Sequence, residues 1–372
     1  MTGLIVHEWI ERTGGSENVL ERMVRAFPDA DVLCLWNNAG ERFASTTIRE
    51  TWLAKTPFRT SKALALPMTA VAWRTRQEEA DWVLVSSHSF AHHVRVRRSE
   101  PAIPKLVYTH TPARYIWASS LDPRGRSMMA RVASVPLRGI DARRARESTT
   151  LAANSWFVAE RIRRAWGREA EVIYPPVDVR TIQHRSEWLS RLTERELELL
   201  DRLPSEFILG ASRFVSYKRL EAVMLIAEAN RTPAVIAGAG PGRDNLANLA
   251  SRCSVDVRIV DSPSSELLYA LYERALVFAF LAVEDFGIMP VEAMAAGTPV
   301  IVNRRGGAYE AVEAISGGVA MDGEGWAESR SALRAAGRVD RSRMQVDARR
   351  FDAAEFDHRL LAWHSTHTRT ST

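Results

Sequence analysis

Two glutamates stand at a regular spacing in the second half of the chain. The stretch EDFGIMPVE runs from Glu284 to Glu292, with seven residues between the two carboxylates. A buried strand is predicted before it and a short helix within it, so the backbone N–H groups of Phe286, Gly287 and Ile288 would lie at a helix N-terminus. Such amides bind polar or anionic groups, and carboxylates accept hydrogen bonds from sugar or ribose hydroxyls. The plainer alternative makes Glu284 a helix cap and Glu292 a solvated acid of the first turn.

Two cations follow the end of another predicted strand. In the segment GASRFVSYKR, Arg213 and Lys218 share one loop, where fixed positive charge can stabilise a departing diphosphate. The chain has only three other lysines, Lys55, Lys62 and Lys105, and uses arginine elsewhere. Lysine at this position therefore favours a role as a compact point charge; the alternative is a surface lysine at a helix start.

Two segments in the first half are further candidates for ligand binding. Gly14 and Gly15 follow the first predicted strand and open a helix, so that backbone can approach a phosphate closely. Without other signals the same pair would indicate a plain loop. His110 ends an apolar strand before Thr-Pro, at the carboxyl edge of a predicted sheet. A single histidine at such a position is more often structural than functional.

Short apolar runs alternate with helical patterns along most of the chain. In the first half the predicted strands are residues 4–9, 32–36, 82–86, 105–110, 151–154 and 172–174. In the second half they are residues 207–211, 234–237, 257–260, 276–281, 300–303 and 319–321. A polar helical stretch over residues 187–200 is predicted to link two domains. The alternation predicts parallel, doubly wound sheets, in which ligands bind outside the carboxyl ends of the strands.

Length and composition narrow the class of protein. A chain of 372 residues, 46% hydrophobic and 26% charged, is typical of two globular domains and not of a disordered protein. Its apolar runs are too short for a membrane span, and its first residues lack the pattern of a secretory signal. Cys34 and Cys253 alone cannot build a disulfide framework or a cysteine metal site, which favours a reducing cytosol.

The net charge of +5 is unevenly distributed. Arginines are concentrated between Arg114 and Arg168, here called the basic segment, which includes Arg124, Arg126 and Arg131. Such a segment favours an anionic partner: a membrane leaflet, a phosphorylated acceptor or nucleic acid. It is equally typical of a solvated surface without a partner.

Taken in order, these segments resemble a known family. EDFGIMPVE is similar to the E-x7-E signature of GT-B glycosyltransferases, in particular the large retaining group called family 4. GASRFVSYKR resembles the segment that supplies an arginine and a lysine to the donor diphosphate, and GGSE at Gly14 resembles the N-terminal glycine loop. YTHTPARYIW, around His110, resembles the His-Thr-Pro segment of bacterial polysaccharide mannosyltransferase-like members. Later segments also follow in order, so the resemblance spans nearly the whole chain.

The resemblance implies the fold and the domain organisation. It implies an α/β protein of the GT-B type, with two doubly wound Rossmann-like domains facing across a cleft. An acceptor-binding domain is expected over residues 1–180 and a nucleotide-sugar-binding domain over residues 181–345. A crossover helix near residues 346–363, followed by a tail, would complete the chain to residue 372.

The resemblance also implies the roles of the site residues. The expected catalytic residues are His110, Arg213, Lys218 and Glu284, and Arg213, Lys218 and Glu284 would also bind substrate. The other expected substrate-binding residues are Gly14, Gly15, Phe286, Gly287, Ile288 and Glu292. Glu284 and the turn amides would hold sugar hydroxyls, and Glu292 would hold the ribose. Because no carboxylate nucleophile is evident, a front-face displacement suits these residues better than a covalent glycosyl-enzyme.

We therefore expect a retaining hexosyltransferase that uses a nucleotide-diphosphate sugar. GDP-mannose is the favoured donor, and UDP- and TDP-hexoses are alternative donors. The expected acceptor is a glycan or a lipid-diphosphate-linked glycan in polysaccharide or glycolipid synthesis. No cofactor and no nucleic acid are expected. No metal is expected either, because Asp29 and Asp31 precede a strand, whereas paired metal-binding acids would follow one. The expected location is the cytoplasm, with peripheral attachment at an anionic membrane face.

Two other classes of protein are alternatives. The segment GAGPGR from Gly238 suggests an NAD-binding fingerprint, but Arg243 stands where its third glycine belongs. A nucleic-acid-binding protein would rest on the basic segment alone. That alternative lacks a zinc-finger spacing and an aromatic-basic RNA motif.

Overall fold

The computed structural model describes residues 2–44, 46–97, 102–118, 128–323 and 325–368. At residue 63 and residues 128–134 it describes the backbone alone. Arg124, Arg126 and the side chain of Arg131 therefore lie outside the described residues, as do residues 369–372 of the predicted tail.

The chain divides into two units. The first comprises residues 1–176 and 354–372, and the second residues 177–353. The expected boundaries, after residues 180 and 345, thus lie four residues late and eight residues early. The reason is a backbone pairing at the limits of the second unit. Val177 N–H donates to the Phe351 carbonyl, and Ala353 N–H donates to the Val177 carbonyl, both at 3.0 Å.

The first unit contains a seven-stranded parallel sheet in the order β3-β2-β1-β4-β5-β6-β7. Its strands are β1 (Gly3–His7), β2 (Asp31–Cys34), β3 (Ile48–Glu50), β4 (Trp82–Ser87), β5 (Lys105–Thr109), β6 (Thr150–Ala153) and β7 (Glu171–Val172). Every residue of β1, β4 and β5 is buried, as expected for central parallel strands covered on both faces. The sequence missed only β3, a three-residue edge strand whose Ile-Arg-Glu has no strand pattern.

Five helices precede the second unit in the described residues. They are α1 (Gly15–Ala26), α2 (Lys62–Ala72), α3 (Arg114–Trp117), α4 (Met128–Ala145) and α5 (Trp156–Trp166). α1 is amphipathic and buries Val19, Leu20 and Met23 in the core beside Ile5 of β1. The apolar face at helical spacing explains why this segment folds as a helix on the sheet.

The second unit contains a six-stranded parallel sheet in the order β10-β9-β8-β11-β12-β13. Its strands are β8 (Ile208–Ala211), β9 (Ala234–Gly238), β10 (Val257–Asp261), β11 (Val277–Phe280), β12 (Val300–Asn303) and β13 (Gly318–Met321). Its helices are α6 (Val179–Gln183), α7 (Arg185–Leu189), α8 (Glu194–Arg202), α9 (Leu220–Asn230), α10 (Arg243–Ala250), α11 (Ser265–Arg274), α12 (Ile288–Ala295), α13 (Gly307–Ile315), α14 (Trp326–Ala336) and α15 (Arg341–Ala348). The predicted doubly wound α/β class is confirmed.

The predicted linker over residues 187–200 is wrong. These residues belong to the second unit and form α7 and α8. Thr193 and Glu196 make a capping box at the start of α8, and Trp188 and Leu200 are buried. Because most residues of the stretch are polar, the sequence pattern did not reveal that Trp188 and Leu200 anchor it in the second unit.

The predicted helix over residues 346–363 is two helices. α15 ends at Ala348, and α16 (Ala353–Thr368) begins after a short turn. α16 packs on the core of the first unit through Phe356, Leu360 and Trp363. Among the helices described, none combines the length and the hydropathy needed to cross a lipid bilayer.

Candidate active site

Two segments of the second unit, after β8 and after β11, hold most of the predicted site. β8, β11 and β12 are neighbours in the sheet, and their carboxyl ends meet at one edge because all strands are parallel. Backbone hydrogen bonds join these loops to their surroundings. Gly307 N–H donates to the Glu284 carbonyl (2.8 Å), and Phe214 N–H donates to the Ala239 carbonyl (2.7 Å). The side chains at this edge are therefore carried by mutually supported backbone.

Lys218 and Glu284 form an ion pair at this edge. The Lys218 ammonium donates to Glu284 Oε1 at 2.6 Å. Their side chains are only 13% and 17% exposed, so water screens the pair less than it screens a surface salt bridge. The ammonium also lies 5.7 Å from the ring centres of Tyr217 and Phe280. The structure thus brings together one predicted cation and one predicted carboxylate.

Arg213 lies on the same loop in a different setting. It is exposed, and its guanidinium donates to the Tyr217 hydroxyl at 2.5 Å. Among the described residues, Arg213 makes no ion pair with Glu284 or Glu292. Of the two predicted cations, Lys218 alone therefore contacts a predicted carboxylate among the described residues.

The turn before α12 has the predicted form. Gly287 precedes the helix with φ 95°, and a Cβ there would lie 2.8 Å from the Cβ of Ala308. Only glycine fits both conditions without strain. Phe286 is buried with its ring 5.5 Å from that of Phe351. α12 begins at Ile288 with no side-chain cap and no acid in its first turn, so its first amides are available to an anionic or hydroxyl-bearing ligand.

Glu292, on α12, differs from Glu284 in its environment. The Tyr272 hydroxyl donates to Glu292 Oε2 at 3.2 Å. Burial raises the pKa of Glu292 to about 7; the nearby Asp178 charge adds to the effect and the Tyr272 hydrogen bond opposes it. Glu292 is therefore poised between its neutral and charged forms near neutral pH, whereas Glu284 is held in an ion pair.

The glycine-rich segment from Gly238 serves packing within the second unit. Gly240 has φ 148°, and a Cβ there would lie 2.8 Å from both the nitrogen and the carbonyl oxygen of Phe214. Gly242 N–H donates to that carbonyl (2.8 Å). These glycines allow the loop after β9 to lie against the Arg213 loop, which accounts for them without a dinucleotide.

His110 directly follows β5 in the first unit, since this strand ends at Thr109, one residue earlier than predicted. Its Nε2 lies 2.8 Å from Ser86 Oγ, and the same oxygen lies 3.0 Å from His7 Nδ1. His7 is buried; desolvation and the charge of His110 lower its pKa to about 3, so His7 is neutral at pH 7. The sequence missed His7 and Ser86 because single polar residues inside apolar strands carry no spacing signal. Only the β1–β4 register, which pairs them, reveals them.

The glycine loop before α1 holds a carboxylate. Glu17 is buried; it accepts from Glu11 N–H (3.2 Å) and from the Ser16 hydroxyl (2.8 Å). A Cβ on Gly14 would lie 2.1 Å from Glu17 Oε2. The absence of a side chain at Gly14 thus makes room for Glu17, and phosphate binding by Gly14 and Gly15 stays a prediction.

Glu8 is a second buried acid at the end of β1. Its Oε1 accepts from Ser89 N–H (2.6 Å) and Ala91 N–H (2.8 Å), which fixes the loop after β4. Burial raises the pKa of Glu8 to about 8 despite these amides. The sequence analysis missed Glu8 because its partners lie more than 80 residues away.

One cluster among the described residues has the spacing of metal ligands: His92, His93 and Asp141. The Nε2 atoms of His92 and His93 lie 3.1 and 2.9 Å from Asp141 Oδ1. Asp141 Oδ2 accepts from the indoles of Trp117 (2.6 Å) and Trp166 (2.7 Å). Four nitrogens thus surround one buried carboxylate without a metal ion. The expectation of a metal-free protein stays a prediction.

Comparison with known sequences assigns this chain to a class. The sequence model "Glycosyl transferases group 1" matches residues 198–343, and the model "Glycosyltransferase Family 4" matches residues 13–181. The two cover both Rossmann-like units and most of the chain. The chain belongs to the group 1, family 4 glycosyltransferases, a class of GT-B enzymes, and the resemblance seen in its motifs is confirmed.

Individual relatives are more distant. A GDP-mannose-dependent alpha-(1-6)-phosphatidylinositol monomannoside mannosyltransferase of Mycobacterium tuberculosis is 30% identical over 184 residues, which is 45% of this chain and 47% of that protein. An uncharacterized glycosyltransferase of Methanocaldococcus jannaschii is 36% identical over 115 residues, 29% of this chain and 30% of that protein. The matches thus span about half or less of the length of these curated relatives.

Solved structures share the fold. Anabaena HepE in complex with UDP superposes with a TM-score of 0.69 at 18% identity, covering 98% of this chain and 100% of that chain. A glycosyltransferase from Rickettsia africae has a TM-score of 0.66 at 15% identity and covers 99% of both chains. At these identities the likeness concerns the fold alone.

Proposed function

We propose that this protein is a retaining hexosyltransferase that moves a sugar from a nucleotide-diphosphate donor to a glycan or lipid-linked acceptor. GDP-mannose is the favoured donor, and polysaccharide or glycolipid synthesis the expected context. The observation that carries this proposal is the Lys218–Glu284 ion pair beside the uncapped amides of α12. A fixed cation, a carboxylate and free amides together match the charge and hydroxyls of a sugar diphosphate.

Donor binding exchanges partners at the ion pair. Lys218 turns from Glu284 to the diphosphate, and Glu284 is released to accept a hydrogen bond from a sugar hydroxyl. Each group keeps a hydrogen-bonding partner in the exchange, and both side chains are partly open to solvent, which limits the cost of separating the pair. The exposed Arg213 is available to the diphosphate from the same loop.

The chemical step is a front-face displacement at the anomeric carbon. The acceptor oxygen forms the new bond while the bond to the diphosphate oxygen breaks, and the electron pair of that bond passes to the diphosphate. The departing diphosphate takes the proton of the acceptor hydroxyl. Lys218, Arg213 and the α12 amides stabilise the charge that develops on it. We expect no metal requirement, which activity in the presence and absence of EDTA would measure.

Two observations bear on the donor, in different directions. The mycobacterial relative is named as GDP-mannose-dependent, and its match covers 45% of this chain. Crystal structures of the Anabaena neighbour are complexes with UDP and with UDP-glucose. We favour GDP-mannose because the curated relative is closer in sequence.

A thermal-shift panel tests the proposal. GDP, UDP, TDP and ADP are titrated against the wild-type protein and against Lys218→Ala. A bound nucleotide raises the free energy of unfolding by mass action, about 2.7 kcal/mol at a hundredfold excess over Kd. We expect GDP to raise Tm most in the wild type and the rise to shrink in the variant. No shift with any nucleoside diphosphate would contradict donor binding, and a larger shift with UDP would replace the favoured donor.

The acceptor side of the proposal concerns the first unit. We propose that the acceptor is glycan-like or lipid-linked and that the protein works in the cytoplasm at an anionic membrane face. His110, held by Ser86 and His7, is the group we place beside the transferred sugar. A histidine whose imidazole is anchored on one nitrogen can orient a hydroxyl with little conformational cost.

A further inference from the structure

An apolar stripe on α2 faces solvent. Leu64 and Val71 are 68% and 48% exposed, Pro67 is exposed and Met68 is half-buried between them. These residues recur at helical spacing, so they share one face. No charged residue occurs between Lys62 and Arg74. Isolated exposed apolar residues are ordinary, but four on one helix face indicate an interaction surface.

A cationic cavity lies next to the end of this stripe. It measures about 260 Å³ and is lined by Trp52, Lys55 and Arg76 together with Ala72 of α2. Lys55 and Arg76 are exposed, and neither side chain forms an ion pair or hydrogen bond among the described residues. Trp52 is 38% exposed. Tryptophan and unpaired cations beside aliphatic side chains are typical of the headgroup level of a membrane.

The two acids of this cavity are engaged elsewhere. Glu50 accepts from Asn37 N–H at 2.6 Å, and Glu78 accepts from the Arg49 guanidinium at 3.0 Å. They therefore do not neutralise Lys55 or Arg76 through a direct contact. Because Arg49 already pairs with Glu78, only the Glu50 carboxylate stands against Lys55 and Arg76, and the cavity lining keeps a net positive charge, which suits phosphate.

In the basic segment, the earlier candidate for an anionic partner, several of the described arginines make internal contacts. Among its described side chains, Arg144 pairs with Glu147, and Arg163 and Arg164 pair with Glu160. Arg168 donates to backbone carbonyls. Arg143 and Arg146 are exposed and make no such contact among the described residues, so the choice of α2 rests on the aliphatic stripe that accompanies its two cations.

We propose that the α2 surface, defined as Leu64, Pro67, Met68 and Val71 with Trp52, Lys55 and Arg76, docks on an anionic lipid bilayer. The aliphatic stripe lies shallowly in the acyl boundary, and the two cations contact lipid phosphates. A second copy of the chain suits this surface less well, because a two-fold contact would bring the same cations, Lys55 and Arg76, of both copies together. The inference extends the proposed lipid-linked acceptor.

Vesicle flotation tests the inference. Vesicles of phosphatidylcholine, with or without phosphatidylglycerol, are mixed with the wild type and two double variants, L64S/V71S and K55Q/R76Q. The matched controls are L197S/V346S, which removes one exposed leucine and one exposed valine from helices of the second unit, and R252Q/R330Q, which removes two exposed arginines there. All eight positions are at the surface, and circular dichroism verifies folding.

We expect the wild type and both controls to float with anionic vesicles and not with neutral ones. Each α2 variant should lose about tenfold or more in partition coefficient, in line with the contribution of a few surface charges or aliphatic side chains. The proposal would be overturned if the wild-type protein floated with neither kind of vesicle. It would also be overturned if the α2 variants floated like the controls. A wild-type dimer, seen by analytical ultracentrifugation, that L64S/V71S abolishes would overturn it as well.

The thermal-shift panel, run on the same variants without vesicles, separates this inference from the proposed function. Donor binding belongs to the second unit and should be unchanged in all four variants. Normal nucleotide binding without flotation rejects the membrane surface alone. Flotation without any nucleotide binding supports the surface and rejects the transferase proposal.

Discussion

Polar residues gather at the carboxyl edge of both sheets, but their settings differ. In the second unit, Lys218 and Glu284 are charged, paired with each other and partly open to solvent. In the first unit, His7 and Glu8 are fully buried, and desolvation favours the neutral form of each. A reversible ion pair can exchange one partner for a ligand. Buried hydrogen-bonded groups instead fix the backbone and the neighbouring side chains.

This difference suggests a division of labour. The second unit holds charges that can bind a sugar diphosphate. The first unit holds buried, hydrogen-bonded groups, here called the frame: His7, Ser86, Glu8 and Asp141 with their partners. Substitutions in the frame should therefore act mainly on stability. Substitutions in the ion pair should act mainly on turnover.

The largest effect on stability is expected from Asp141→Asn. The buried carboxylate is surrounded by two histidines and two indoles, and an amide would turn a donor toward donors. We expect the free energy of unfolding to fall by about 3–5 kcal/mol, measured by urea denaturation. Asp244→Asn, at a fully exposed side chain, should stay within about 0.5 kcal/mol of the wild type. If the two variants were equally stable, Asp141 and its partners would not stabilise the first unit.

Lys218→Ala should have the largest effect on catalysis. Removing the ammonium takes away a fixed charge that stabilises the departing diphosphate, and we expect kcat to fall by roughly two to three orders of magnitude. Donor turnover is measured with a soluble acceptor. Arg252→Ala, an exposed cation of the same unit, is the control and should keep wild-type turnover. Unchanged turnover in Lys218→Ala would remove the residue from the mechanism.

Glu8→Gln should change how stability depends on pH. The pKa of Glu8 is raised from 4.5 to about 8 by burial, so its contribution is complete below about pH 4.5 and is lost as pH rises through 8. Glutamine imitates the protonated acid and cannot titrate. Relative to this variant, the wild-type free energy of unfolding should fall by a few kcal/mol over that window. Parallel pH curves for the two proteins would show that Glu8 does not titrate there.

The smallest effect is expected from Glu292→Gln. Burial raises the pKa of Glu292 to about 7, and the charged carboxylate accepts ribose hydrogen bonds better than the neutral acid. Wild-type affinity for the nucleoside diphosphate should rise up to about tenfold between about pH 6 and 8. Calorimetric titration of the variant should show a flat profile over the same range. A rise that persists in the variant would assign the titration to another group.

The second-unit site could be predicted from the sequence because its parts are local. Glu284, the turn amides and Glu292 lie on one continuous stretch, and the turn and helix form as their residues predict. The contact between Lys218 and Glu284 joins residues 66 positions apart. The family resemblance had placed both residues at one donor site, and the structure shows that they contact each other because β8 and β11 are neighbours in the sheet.

The first-unit frame could not be predicted in the same way. His7 and Ser86 are 79 residues apart, and each stands alone in an apolar strand. Asp141 draws its partners from three separate segments of the chain, those of His92 and His93, of Trp117 and of Trp166. Such networks depend on strand order and helix placement, which hydrophobic periodicity does not specify. The same limit explains the missed β3 strand and the stretch mistaken for a linker.

The return of α16 to the first unit has a consequence for biosynthesis. Phe356, Leu360 and Trp363 complete a core that also contains Ile5 and Tyr108, so that core has apolar surface uncovered until residues near 363 leave the ribosome. The second unit, which ends at residue 353, is translated in full before then. Nascent chains of this protein should thus acquire a protease-resistant second unit first, the reverse of the usual N-terminal order.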